Sequence, residues 1–227
     1  MKSQHKILDK KYDNYVEHPR YGRRPRFTGL NPNPFDEGVQ LHSNATTIHE
    51  IQKRAKNVFG KKLGFLTDLE KIMPKEPARI SRTAIKAESN LQNQPTVPVT
   101  HYFDVERICR DCKKSFIFFA EEQKHWYERL RFPLEADCVR CPRCRKKEQF
   151  LAGNRAKYER LCAMKKRDWK ADLQMACCAL TLVENGIFGN KVIQSIRALI
   201  KTVPQTERME ISYLDLKARL KLLAKQT

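Results

Sequence analysis

Two Cys-x-x-Cys turns constrain this chain more than any other feature. The first is Cys109-Arg-Asp-Cys112, and the second lies within Cys138-Val-Arg-Cys141-Pro-Arg-Cys144. Such a turn presents two sulfurs on one side of a tight loop. Two of them, separated by an insert of this length, have the spacing of a structural zinc site with four thiolate ligands. One zinc ion is therefore the expected cofactor. The register at the second turn is open, because Cys138, Cys141 and Cys144 offer two overlapping pairs. Cys141-Pro-Arg-Cys144 is the better knuckle: Pro142 fixes φ after the first ligand, and Arg145, Lys146 and Lys147 follow to face the thiolates. The expected ligands are Cys109, Cys112, Cys141 and Cys144, with Cys138 as alternate ligand or buried neighbour.

The compartment follows from the same residues. Residues 1–11 are polar and lack the apolar core of an export signal, and no apolar run reaches membrane-spanning length, so a cytoplasmic chain is expected. In a reducing compartment eight cysteines read as metal ligands and buried thiols, not as disulfides.

Between the two turns the sequence changes period. Phe116-Ile-Phe-Phe119 is a short β-prone run leaving the first knuckle, and Tyr102, Phe103, Val105 and Ile108 enter it as a strand. From Glu121 to Leu130 strong helix formers follow, with acidic groups in the first turn, until Pro133. The insert is thus strand, helix, loop.

These residues carry a resemblance. Cys109-x-Asp-Cys112, Phe116-x-Phe118, Ala120-Glu-Glu-Gln123, the Trp126-Tyr127 pair and Cys141-Pro-x-Cys144-Arg145 resemble the probable zinc-ribbon domain found in many, mostly bacterial, proteins. Residues 25–32 and 83–87 are more loosely similar to segments that precede the module in longer members. The resemblance implies four cysteine ligands and no particular activity. The third cysteine of the second cluster, Cys138, departs from the pattern.

The chain reads as α+β, with an extended arm (1–100), a zinc-ribbon-like module with an inserted helix (101–148) and a C-terminal bundle of about four short helices (149–227). The arm is rich in turn formers, including Asn31-Pro-Asn-Pro34, and one short amphipathic helix is expected near 47–59. In the C-terminal region Asp168 caps a helix with Leu173, Ala176, Leu180 and Val183 on its inner face, ending near Asn185-Gly186. A further helix carries Tyr213, Leu216, Leu220 and Leu223. Cys162 and Cys177 fit the apolar periodicity, and the vicinal pair Cys177-Cys178 reads as small core hydrophobes.

Net charge narrows the function. A formal charge of +19 makes a polyanion the first partner to consider. Two basic clusters stand out. Arg20, Tyr21, Arg23, Arg24 and Arg26 form one in the arm, able to grip phosphates while Tyr21 stacks on a base, or else to pack on the protein's own acidic groups. Arg140, Arg143, Arg145, Lys146 and Lys147 form the other at the second knuckle. The expected role is non-catalytic binding of RNA or DNA; the alternative is a structural adaptor that meets a protein partner through the C-terminal helices. An enzyme is not expected: both Cys-x-x-Cys pairs are consumed as ligands, and Lys53 stands where a His-Glu-x-x-His motif begun at His49 would need its second histidine. Neither a membrane nor a small-molecule substrate is indicated.

Overall fold

The structure, a computed structural model, describes residues 10–33, 38–39, 79–93, 95 and 98–224. The helix expected near 47–59 lies outside them, as do His42 and His49. The chain divides into two compact units, Met1–Cys144 and Arg145–Thr227.

The first unit is built on two small antiparallel ladders. β1 (Ile85–Lys86) pairs with β2 (His101–Tyr102), and β3 (Val105–Ile108) pairs with β4 (Ser115–Phe118) in the register Val105 opposite Phe118 and Ile108 opposite Ser115. The strand expected over 101–108 is interrupted at Phe103-Asp104, where the chain passes from one ladder to the other. Strands this short are marginal alone, so their stability comes from the side chains they bury. Tyr102, Phe116 and Phe118 are all but inaccessible, each burial worth about 1.5–3 kcal/mol.

The described part of the arm is packed against this sheet pair. Val16 is buried beside Phe116, and its amide donates to the Ser115 carbonyl at 2.8 Å. The hydroxyls of Tyr12 and Tyr15 donate to Glu106 at 3.2 and 3.3 Å, and Lys11 pairs with the same carboxylate. Gln92 closes the connector before β2: its side chain donates to the Val99 carbonyl and accepts from the Val99 amide, at 2.9 and 3.0 Å.

After β4 comes helix α1 (Ala120–Lys124), which widens into a π-helical turn over His125–Arg129. The wider turn sets neighbouring aromatics into different packing sites. Trp126 meets Phe118 edge-on at 5.0 Å, while Tyr127 stacks with Tyr102 at 5.8 Å and donates its hydroxyl to the Ala136 carbonyl at 2.8 Å. Leu130, the last residue of the helical run expected from Glu121, lies just past the π-turn and is 49% exposed.

Helix α2 (Pro142–Cys162) begins at the second knuckle and has 21 residues. It is longer than the short helices expected over 149–227, and it starts before that region. The second unit adds α3 (Trp169–Glu184), α4 (Val192–Lys201) and α5 (Ile211–Ala224), with α3 packed on both α4 and α5. Asp168 caps α3 by accepting from the Ala171 amide at 2.8 Å, and Gly186, at φ +71°, ends it. Leu173, Ala176, Leu180 and Val183 meet Ile196, Val203, Tyr213 and Leu216 in one core. Arg219 of α5 clamps it at the rim, donating to Thr181 and Glu184 of α3 and to Asp215 of its own helix.

Candidate metal centre

The four expected ligands converge. The sulfurs of Cys109, Cys112, Cys141 and Cys144 all lie within 4.8 Å of one another, and Cys112 Sγ is 3.8 Å from Cys141 Sγ. Sulfurs about 2.3 Å from a shared zinc at tetrahedral angles stand about 3.8 Å apart, so the cluster has the dimensions of a Zn(Cys)4 site.

Each pair is held by a different device. Cys109-Arg-Asp-Cys112 forms the turn between β3 and β4, closed by Lys113 N–H donating to the Cys109 carbonyl at 3.0 Å. Lys113 takes φ +59°, the left-handed conformation usually left to glycine. The second pair lies at the start of α2: Pro142 occupies the first helical position, where its missing N–H costs nothing, and Cys144 sits in the first turn. Two links tie the pairs together besides the sulfurs. Arg110 N–H donates to the Val139 carbonyl at 2.9 Å, and Arg140 Nε donates to Asp111 at 2.8 Å.

The electrostatics match a site made for a cation. Burial raises the Cys109 thiol, but the amides of Cys141, Cys112 and Asp111, with the Cys112 thiol, more than offset it and bring its pKa to about 6. Cys144 is pushed up to about 12 by burial and then by the sulfurs of Cys141, Cys109 and Cys112, and Cys141 is raised for the same leading reason. One sulfur ionises readily and its neighbours then resist. A divalent ion removes that repulsion.

Cys138 is outside the cluster. It is 1% exposed, packs in the aromatic core of the first unit, and donates its thiol to the Arg140 carbonyl at 3.5 Å.

Phe103 to the first turns of α2 thus run as hairpin strand, knuckle, second strand, inserted helix, and a long helix with the second ligand pair at its start, Cys141 just before it and Cys144 in its first turn. Residues 103–150 match the family described as a probable treble clef domain. The zinc-ribbon-like expectation holds in its four-thiolate site, and the treble clef adds what the ribbon reading left open: the second pair rides on a helix instead of a second hairpin. No curated protein and no solved structure matches the chain. Among the described residues no helix is long and apolar enough to cross a membrane.

The two basic clusters are placed differently. In the arm, Arg23 pairs with Glu17 at 2.8 Å, Arg24 with Asp13 at 3.5 Å and Arg26 with Glu121 at 3.3 Å. Tyr21 stacks on His18 at 4.6 Å and leans on Phe119 at 5.4 Å, with the Arg20 guanidinium 5.5 Å from its ring. At the second knuckle Arg140 is engaged by Asp111 and Arg145 is half-buried, while Arg143, Lys146 and Lys147 are exposed.

Sequence reasoning did not single out Asp104, which positions the treble clef. It is fully buried, and its carboxylate accepts from the amides of Arg26 at 2.8 Å and Ala120 at 2.7 Å. Burial pushes its pKa up to about 6 against those two donors. Phe119, at the N-cap of α1, offers no side-chain acceptor, so Asp104 serves that helix start from across the chain. A lone acid amid Tyr102, Phe103 and Val105 was the available signal.

Proposed function

We propose that the protein is a zinc-stabilised, non-catalytic module that binds RNA or DNA, and that the contact surface is the first half of α2. The observation that carries this reading is how little of α2 is spent on a core. Of its 21 residues only Leu161 is buried. Arg143, Lys146, Lys147 and Phe150 are spaced by three and four residues and therefore share one side of the helix. All four are exposed, Phe150 at 58%. Cations on one helical face gain affinity by releasing counterions from phosphates, and an aromatic ring among them can stack on a base. The metal's part is to fix where that helix begins. Four thiolates complete a tetrahedral shell, which supports a structural and not a catalytic ion. The arm arginines, three of them already paired with carboxylates, add a weaker positive field.

Electrophoretic titration of zinc-loaded protein with single-stranded and duplex oligonucleotides, over a range of salt, tests the reading. Affinity should fall steeply with salt, and replacing Arg143, Lys146 and Lys147 together by alanine should flatten the log–log slope by about 2–3, at roughly 0.7–0.9 per phosphate contact. Absent binding, or an unchanged slope, removes the proposal. The second reading, a protein-binding adaptor, is favoured by a separate surface on α5.

A further inference from the structure

Helix α5 is apolar on two opposite sides, and one core uses only one of them. Tyr213, Leu216, Leu220 and Leu223 face the bundle core. Ile211, Leu214, Ala218 and Leu222 recur at three- and four-residue intervals on the other side, and all are exposed: Ile211 at 85%, Leu222 at 59% and Leu214 at 45%. Scattered exposed apolar residues mean little, but four in one helical row leave a seam of the kind that a second helix covers.

The charges beside the seam select its occupant. Lys217 and Lys221 form a row along one edge, next to Leu214 and Ala218, and neither has a carboxylate partner among the described residues. On the other edge Asp215 is already paired with Arg219, which also holds Glu184. An antiparallel self-pair would set each lysine row against its own copy. Like charges across a seam select against pairing.

We propose that the outer seam of α5 docks an amphipathic helix of another protein whose apolar stripe is bordered by glutamates or aspartates. The apolar stripe supplies the buried area, and the acidic edge meeting Lys217 and Lys221 sets orientation and on-rate. This surface is independent of the α2 face, so the two readings stand or fall separately.

The test uses the full-length zinc-loaded protein and two fluorescent helical peptides, each with a leucine stripe, one edged with glutamate and one with lysine. Fluorescence anisotropy should show the glutamate peptide binding at least tenfold more tightly. Leu214→Ser with Leu222→Ser should weaken it about tenfold or more, with the thermal melt unchanged because both side chains are exposed. Lys217→Glu with Lys221→Glu, which leaves the apolar row intact, should reverse the preference toward the lysine peptide. Equal binding of the two peptides, or insensitivity to both double variants, overturns the proposal. So does sedimentation showing a wild-type dimer that Leu222→Ser disperses, since a second copy would then be the occupant.

Discussion

The amide of Cys141 donates to the sulfur of Cys109 at 3.3 Å, so the first residue of the second knuckle stabilises the first ligand of the other. Charge-assisted bonds of this kind make a thiolate at Cys109 favourable before the remaining sulfurs are brought to the ion. The two ends of the module are therefore coupled through the backbone as well as through the metal, and loss of any one ligand should be felt at both.

Metal analysis of purified protein should give one zinc per chain. Serine at Cys109, Cys112, Cys141 or Cys144 should abolish stoichiometric zinc and unfold the first unit, because the free energy of binding a structural zinc is folding free energy. Cys138→Ala should retain the ion and lose only the stability that goes with removing a buried sulfur, about 1–2 kcal/mol. Zinc lost with Cys138 but kept without Cys144 would transfer the site to the other register.

Asp104→Asn should lower stability by about 1–3 kcal/mol, since one of the two amides that its carboxylate accepts from would face an NH2 group instead. The wild type carries a pH signature that the variant lacks. The pKa of Asp104 is raised in the folded protein, so the ionised form is the disfavoured one there. Its contribution is fully present below the ordinary aspartate range and is lost as pH rises through about 6. Denaturation with excess zinc should therefore show wild type gaining roughly 1 kcal/mol on the variant between pH 7.5 and 5.5. A flat difference over that window would contradict the burial assigned to this carboxyl.

Lys113 holds the left-handed turn that follows Cys112. Lys113→Val should cost about 1–2 kcal/mol, because a β-branched side chain clashes with the backbone there, while Lys113→Gly should be neutral or slightly stabilising. Chemical denaturation of the two variants side by side reads the order.

In the second unit Arg219→Ala should destabilise by about 1–3 kcal/mol, because it removes bonds to Thr181 and Glu184 that join α5 to α3. Arg219→Lys cannot reproduce the two-pronged geometry and should recover only part of the loss.

Phe150→Ala separates the kinds of nucleic acid. If Phe150 stacks on an unpaired base, single-strand affinity should drop by about 1–3 kcal/mol with the salt slope unchanged, and duplex binding should barely move. Equal losses on both substrates would place the ring against a backbone or groove instead.

Local rules made much of this protein legible from its sequence. The four-thiolate site is written in two turns of fixed spacing, and the cap at Asp168, the stop at Gly186 and the inner faces of α3 and α5 follow from helical periodicity and backbone preference, which act over a few residues. What the sequence could not decide depends on residues far apart in the chain. Whether Cys138 or Cys144 completes the site turned on α2 starting at Pro142, which carries Cys144 to the sulfurs and leaves Cys138 in the aromatic core. Asp104 gains its role only where the amides of Arg26 and Ala120, 78 and 16 residues away, reach it in a buried place. The sequence left the arm's arginines two uses, phosphates or the protein's own acidic groups, and only folding brought Glu17, Asp13 and Glu121 beside Arg23, Arg24 and Arg26. Spacing fixes which atoms can share a metal; only tertiary packing fixes which polar groups lose their water, and so which of them must find a partner.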